Sequence, residues 1–329
     1  MSHRDGNESV LVPNSQPEPL SDTLRVVGTL TTMPDKYRFL TKTLDSLLAQ
    51  SYRLDAIYLG LPKVSRRLGI PYPKLPKEIA KKCTVVEVED YGPITKLLGA
   101  LTREKDPNTV LISFDDDRYY PPTMVEKLMK HHRDHPRSAI GSSGMLLAGL
   151  CPNCAIYPNE HDLLYRIPKF HVPFSGRKVD SIYGYPGALY VRRMFPSVET
   201  LEQELLHYAL ESKEMLMNDD ITISGYLSLQ RIERMIFPDL PEVKHTIPDG
   251  MNKRVHGKDE ISYNLDYFFQ RMNACIRKCK DHGMFAQPEH ISGTETVLGV
   301  GLILVLVILA VIGLLIYFLF FWRAPRAIF

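Results

Sequence analysis

Apolar positions along this chain follow two rhythms that alternate. Leu24 to Leu30, "LRVVGTL", is a short β-prone run, and in "FLTKTLDSLLAQ" after it Phe39, Leu40, Leu44, Leu47 and Leu48 recur at helical spacing. The exchange then repeats. "AIYLGLP" (56–62) and "CTVVEVE" (83–89) predict a second and third strand, and "PITKLLGALTRE" (93–104) predicts a helix. Thr109 to Phe114 is an apolar run, the pattern of a strand buried on both faces. Beyond it, "PPTMVEKLMKHHRDHP" predicts a helix with Pro121 and Pro122 at its start, and "SAIGSSGMLL" predicts another strand. A long helical pattern, "VETLEQELLHYALESKEMLM", leads into "NDDITISGYL" with its apolar series at Ile221, Ile223 and Leu227. Strands alternating with helices predict one α/β unit over residues 25–285, doubly wound around a mainly parallel sheet.

The two ends break this pattern. Residues 1–24 are polar and carry three prolines, which predicts a disordered tail without a secretory signal. Past a linker at 286–296, Val297 to Trp322 holds no charged residue over 26 positions. At about 1.5 Å per residue such a helix exceeds the roughly 30 Å hydrocarbon core, so a transmembrane helix is expected. Residues 323–329 form a short C-terminal tail. Basic residues flank the stretch on both sides and decide little about orientation. Without a signal peptide, the simplest topology is a single-pass C-terminal anchor with the catalytic domain in the cytosol.

Composition narrows the classes. The chain has 329 residues, 44% hydrophobic, with 40 basic against 38 acidic side chains, enough for a sizeable core. Balanced charge without a dense basic stripe argues against nucleic acid as a partner. Five cysteines, an odd number, are expected to stay reduced. "CPNC" (151–154) and "CIRKC" (275–279) have spacings that zinc sites also use, but ordinary thiols are the simpler reading, and zinc is left out of the function.

The chemistry concentrates in "LISFDDDRYYPP", residues 111–122. Three adjacent carboxylates persist only if water solvates them or a cation neutralises them. Here they follow a buried strand, at the end where open α/β sheets place ligand crevices. Continued extension points Asp115 and Asp117 the same way and Asp116 the other, a pair of hard oxygen ligands suited to Mg2+ or Mn2+. A solvated acidic loop is the alternative.

Four segments in order, "TLTTMPDKYRFLTKTLDSLLAQ", "DYGPITKLLGAL", "FDDD" and "NDDITISGYL", resemble GT-A-type, family-2-like glycosyltransferases across about residues 25–265. That resemblance implies a Rossmann-like GT-A fold and a nucleotide-diphosphate sugar donor. It implies that Thr29, Thr31 and Thr32 line the nucleoside pocket, that Lys96 in "DYGPITK" meets the donor, and that Asp90 is a substitute reader of the base. Capping and turn chemistry is the plain alternative for Thr31 and Thr32. Asp115 would then contact the ribose and Asp117 the metal, with Asp115 as a further metal ligand and Asp116 serving either role. Some relatives take a late histidine as a third ligand, which here is His256 in "KHTIPDGMNKRVHGKDE", a segment that also holds His245.

Inverting transfer needs a base for the acceptor hydroxyl. Asp219 and Asp220 sit at the start of a predicted helix, where amide dipoles favour anions, and capping is the plain alternative. By resemblance Asp220 is the base and Asp219 orients the acceptor. In "SIYGYPGALYVRR", Gly184 and Gly187 would admit the donor sugar, and Tyr183 or Tyr185 would stack on the acceptor, a glycan, lipid or protein hydroxyl. A haloacid-dehalogenase phosphatase is disfavoured because Arg118 and Tyr119 follow Asp117, and neither the EF-hand nor the DDxxD pattern is present. The competing class is a membrane-anchored sugar-nucleotide-binding or scaffold protein without turnover.

Overall fold

A computed structural model describes residues 24–147, 164–166, 172–246 and 265–286. The expected tail before Leu24, Cys151 and Cys154, His256, and the apolar stretch 297–322 lie outside the described residues. Among the described residues no helix is long and apolar enough to cross a membrane.

The chain opens with β1 (Val26–Thr31), α1 (Tyr37–Leu48), β2 (Ala56–Leu61), the single turn α2 (Lys77–Ala80), β3 (Thr84–Glu87), α3 (Thr95–Leu101) and β4 (Val110–Ser113). After β5 (Arg118–Tyr119) and α4 (Met124–Asp134) come β6 (Ala139–Gly141), β7 (Gly144–Leu147), β8 (Leu164–Arg166), β9 (Arg177–Lys178), β10 (Ser181–Ile182) and β11 (Ala188–Val191). The remainder is α5 (His207–Glu211), α6 (Lys213–Leu216), α7 (Asp219–Leu229), β12 (Arg234–Ile236), β13 (Lys244–His245) and α8 (Leu265–Asp281).

Eight strands form one sheet in the order β3-β2-β1-β4-β11-β6-β12-β9. The β3-β2-β1-β4 half is parallel, as βα alternation requires. Strand β11 enters antiparallel between β4 and β6, with Ala188 opposite Ser113. Its first residue therefore lies beside the last residue of β4, and the loop before β11 opens onto the sheet edge that carries the acidic triplet.

Both faces of the sheet are covered. Val27, Leu111 and Tyr190 pack with Leu97 and Leu101 of α3 and Leu227 of α7. Val26, Val110 and Ile112 pack on the other side with Leu40 and Leu44 of α1 and Leu128 of α4. Adjacent strand residues alternate between these two layers, which explains why β4 reads as a continuous apolar run.

Two predicted elements differ from the expectation. "SAIGSSGMLL" folds as two strands in different sheets, β6 in the main sheet and β7 in a β10-β7-β8 sheet. The expected long helix before Asn218 is interrupted, with a π-helical turn at Glu202–Leu206, then α5, then α6. Ser212 is extended between the last two, and its side chain accepts a hydrogen bond from the Met215 N–H at 3.2 Å. A serine able to cap the next helix ends the previous one there.

Candidate active site

Strand β4 stops at Ser113, and the Phe114 N–H donates to the Thr29 carbonyl at 3.0 Å before the chain turns. Because Asp116 and Asp117 lie in that turn, extension does not continue past Asp115, and Asp115 and Asp117 pair with different lysines. Lys36, at the cap of α1, spans the second pair, 3.3 Å from Asp116 Oδ1 and 3.1 Å from Asp117 Oδ2. Thr32 Oγ1 donates to Asp116 Oδ2 at 2.6 Å and Thr43 Oγ1 to the Asp116 carbonyl at 2.8 Å. Arg118 Nε lies 3.4 Å from Asp117 Oδ1, and its guanidinium stands 4.8 Å over the Tyr185 ring.

Asp115 faces a second cation. Lys96, buried on α3, is 2.6 Å from Asp115 Oδ1 and 2.9 Å from Asp219 Oδ2. Burial works against its charge, yet Asp115, Asp219 and Asp220 raise its pKa well above the usual lysine value. Burial also opposes ionisation of Asp115, but Lys96 outweighs it and holds this carboxyl below its ordinary range. The Asp115 side chain keeps 27% exposure, against 12% for Asp219.

Asp219 and Asp220 open the first turn of α7. The Asp220 Oδ1 accepts the Gly184 N–H at 2.9 Å, and a Cβ on Gly184 would come within 2.8 Å of that oxygen. A side chain at position 184 would therefore displace the Asp220 carboxylate. Burial first, then Asp219, push the Asp220 carboxyl well above the usual carboxylate range, with Lys96 pulling against them. Gly187, at φ +95°, turns the chain into β11, and its N–H donates to the Gly184 carbonyl at 2.9 Å. Tyr183 and Tyr185 lie with ring centroids 5.9 Å apart. The buried Tyr120 hydroxyl ties this loop to the acidic turn, accepting the Asp115 N–H at 2.8 Å and donating to the Tyr185 carbonyl at 3.0 Å.

A cavity opens over this edge, walled by Thr31, Thr32, Lys36, Arg66, Asp115 and Asp219 among others. Asp90 also lines it, but both its carboxylate oxygens are taken, by the Arg66 N–H at 2.6 Å and the Gly92 N–H at 2.7 Å. Thr29 departs from the expectation: it is fully buried beneath the cavity, its hydroxyl donating to the Lys96 carbonyl at 2.5 Å. The Thr31 hydroxyl donates to the Gly60 carbonyl at 2.8 Å.

Sequence reasoning missed Lys36, Arg118, Tyr120 and Arg66. The available signal was position: Lys36 lies in the loop after β1 and Arg66 in the loop after β2, both at the ligand edge of the sheet. His245 on β13 pairs with Arg118 on β5, and the Thr246 N–H donates to the Asp117 carbonyl at 2.8 Å. Burial, with Arg118 beside it, lowers the His245 pKa.

Asp115, Asp116, Asp117, Asp219 and Asp220 face Lys36, Lys96 and Arg118, and Arg66 and Arg67 line the same cavity. Among the described residues no group of three His, Cys, Asp or Glu side chains converges on one point. A cation held by one or two carboxylates and by substrate phosphates, as Mg2+ often is, needs no such group.

No family model and no curated protein matches this chain. Similar solved structures include S. aureus TarS 1–349 in complex with UDP, at 11% identity and TM-score 0.39, over 66% of this chain and 58% of that one. TarS 1–349 alone gives 12% identity and TM-score 0.39 over the same shares. A structure of S. aureus TarS gives 13% identity and TM-score 0.41, over 70% of this chain and 38% of that one. The chain thus spans less than two thirds of each of these structures.

Proposed function

We propose that this chain is a glycosyltransferase that moves a sugar from a nucleotide-diphosphate sugar to a hydroxyl acceptor with inversion. One observation carries the reading. Lys96 bridges Asp115 and Asp219, so an acidic turn suited to a cation and diphosphate shares its cavity with a partly buried acidic pair suited to proton transfer.

In this reading Asp115 and Asp117 hold Mg2+ or Mn2+, which supplies counter-charge for the diphosphate when bound. Lys36 and Arg118 keep the acidic turn in place, and Arg66 and Arg67 in the cavity wall add positive charge near the donor. Asp220 accepts the acceptor hydroxyl proton as that oxygen bonds to the anomeric carbon and the bond to the diphosphate breaks with its electron pair. The Gly184 N–H holds the Asp220 carboxylate, and Asp219, paired with Lys96, orients the acceptor. The acceptor is a glycan, lipid or protein hydroxyl. The reading includes Val297–Trp322 as a single membrane span with the catalytic unit in the cytosol.

A panel of nucleotide sugars with and without Mn2+, followed by thermal shift, tests this directly, because a ligand that binds only the folded state raises its stability. One donor should stabilise the protein and then turn over. If none stabilises it, or if the stabilising donor is never transferred or hydrolysed, the transferase reading fails.

A further inference from the structure

Residues 63–82, "KVSRRLGIPYPKLPKEIAKK", carry seven Lys or Arg against one acid, Glu78, a local surplus three times the +2 of the whole chain. The first half is a fixed hairpin at the ligand edge of β2. Val64 bridges Pro71, the Ser65 N–H donates to the Ile70 carbonyl at 2.8 Å, and the Tyr72 N–H to the Lys63 carbonyl at 2.9 Å. Gly69, at φ +67°, closes the tip, its N–H donating to the Ser65 carbonyl at 2.7 Å.

This fixed hairpin exposes apolar side chains: Val64 at 52%, Leu68 at 36% and Ile70 at 46%. Tyr72 and Leu75 at its root pack against the core instead. Lys74, Lys77 and Lys81 follow the hairpin in the chain, all exposed. Lys63 and Lys82 have surface partners in Glu87 and Asp45, but exposed pairs of this kind hold little free energy and leave the local surplus in force. An ordered apolar tip followed in the chain by exposed lysines matches an interfacial segment, whose side chains sink to the headgroup boundary while basic residues meet anionic lipid.

We infer that the hairpin at residues 63–72 docks on an anionic bilayer surface. Two further observations favour a bilayer over a soluble acidic partner. The chain carries its own uncharged 26-residue stretch from Val297, and only ten residues, 287–296, separate it from the last described residue. Fully extended, ten residues span at most about 36 Å, so a bilayer that holds the stretch lies within reach of the domain. Arg66 and Arg67 sit in the same hairpin and line the cavity, so docking sets the cavity mouth against the headgroups.

The chain's only tryptophan, Trp322, lies in the apolar stretch and reports anchoring by itself. Full-length protein with Trp322→Phe and Ile70→Trp is incorporated into vesicles of brominated phosphatidylcholine, with or without added phosphatidylserine, and tryptophan quenching is read. Leu68→Trp serves as a second probe, and Val198→Trp, at an exposed site beyond the opposite end of β11, as the control. Quenching at positions 70 and 68 that needs phosphatidylserine, with none at 198, is the expected result. Replacing Lys74, Lys77 and Lys81 with Gln should shift the docking equilibrium roughly tenfold or more toward the undocked form, read as quenching against the phosphatidylserine fraction of the vesicles. If Trp322 of the wild type is quenched while positions 68 and 70 are not, the hairpin stays in water and the inference fails. It fails equally if quenching ignores phosphatidylserine, or if a soluble polyanion alone protects the hairpin.

Discussion

The Lys96 ammonium lies 2.9 Å from the Asp219 carboxylate and 2.6 Å from that of Asp115, so one buried cation joins two acidic sites more than a hundred residues apart. Lys96 also lowers the pKa of Asp220, which burial and Asp219 hold well above its usual value. A base works deprotonated, so transfer should rise with pH through that raised pKa, giving an acid limb above the ordinary carboxylate range. Lys96→Met removes the lowering influence and should move the limb to higher pH. A pH profile of kcat checks this, and a limb that stays or moves lower contradicts it.

Asp220→Asn should bind nucleotide sugar with Mn2+ about as tightly as the wild type in calorimetry. Its transfer should be slower by the roughly 10² to 10⁴ of a missing general base. NMR of the wild-type product should show an inverted anomeric centre. Retained configuration would remove the single displacement, and loss of rate in Asp219→Asn alone would shift the base by one residue.

Asp117→Ala should abolish transfer, as should chelation of the wild type. The fold should survive in that variant, because Lys36 keeps Asp116 as a partner at 3.3 Å. Circular dichroism separates the two effects, and full activity under chelator would dismiss the metal.

Tyr120→Phe keeps the buried ring, which packs edge-on to Phe114 with centroids 4.7 Å apart, and deletes only the hydroxyl. The Asp115 N–H and the Tyr185 carbonyl then lose that partner, a cost of about 1–3 kcal/mol in denaturant unfolding. Transfer should fall further than stability explains, since the acidic turn and the glycine loop are no longer tied.

Much of the parallel half was legible, because β1, β2 and β4 are buried on both faces and α1 presents one apolar stripe of Leu40, Leu44 and Leu47. The interruption at Ser212 was not, since a single side-chain cap overrides a good helical pattern. In the site the acids were readable and their cations were not. Lys36 in "TTMPDKYR" looks like a solvated loop residue, and only Asp116 and Asp117, some eighty positions later, hold it inside. The alternation argument for Asp115 and Asp117 did not apply because extension does not continue past Asp115.

The reversed strand at the centre of the sheet also bears on how a growing chain acquires its structure. By residue 113 the ribosome has delivered β4 and its parallel neighbour β1, but the other edge of β4 stays open until residues 188–191 arrive. An apolar strand left as an edge invites pairing with other chains. Over that interval Lys96 has only Asp115 of its two ion-pair partners, Asp219 still being unmade. Half-synthesised molecules therefore hold the acidic turn on an unfinished sheet, and crowding on the polysome weighs most on the stretch of translation between those two strands.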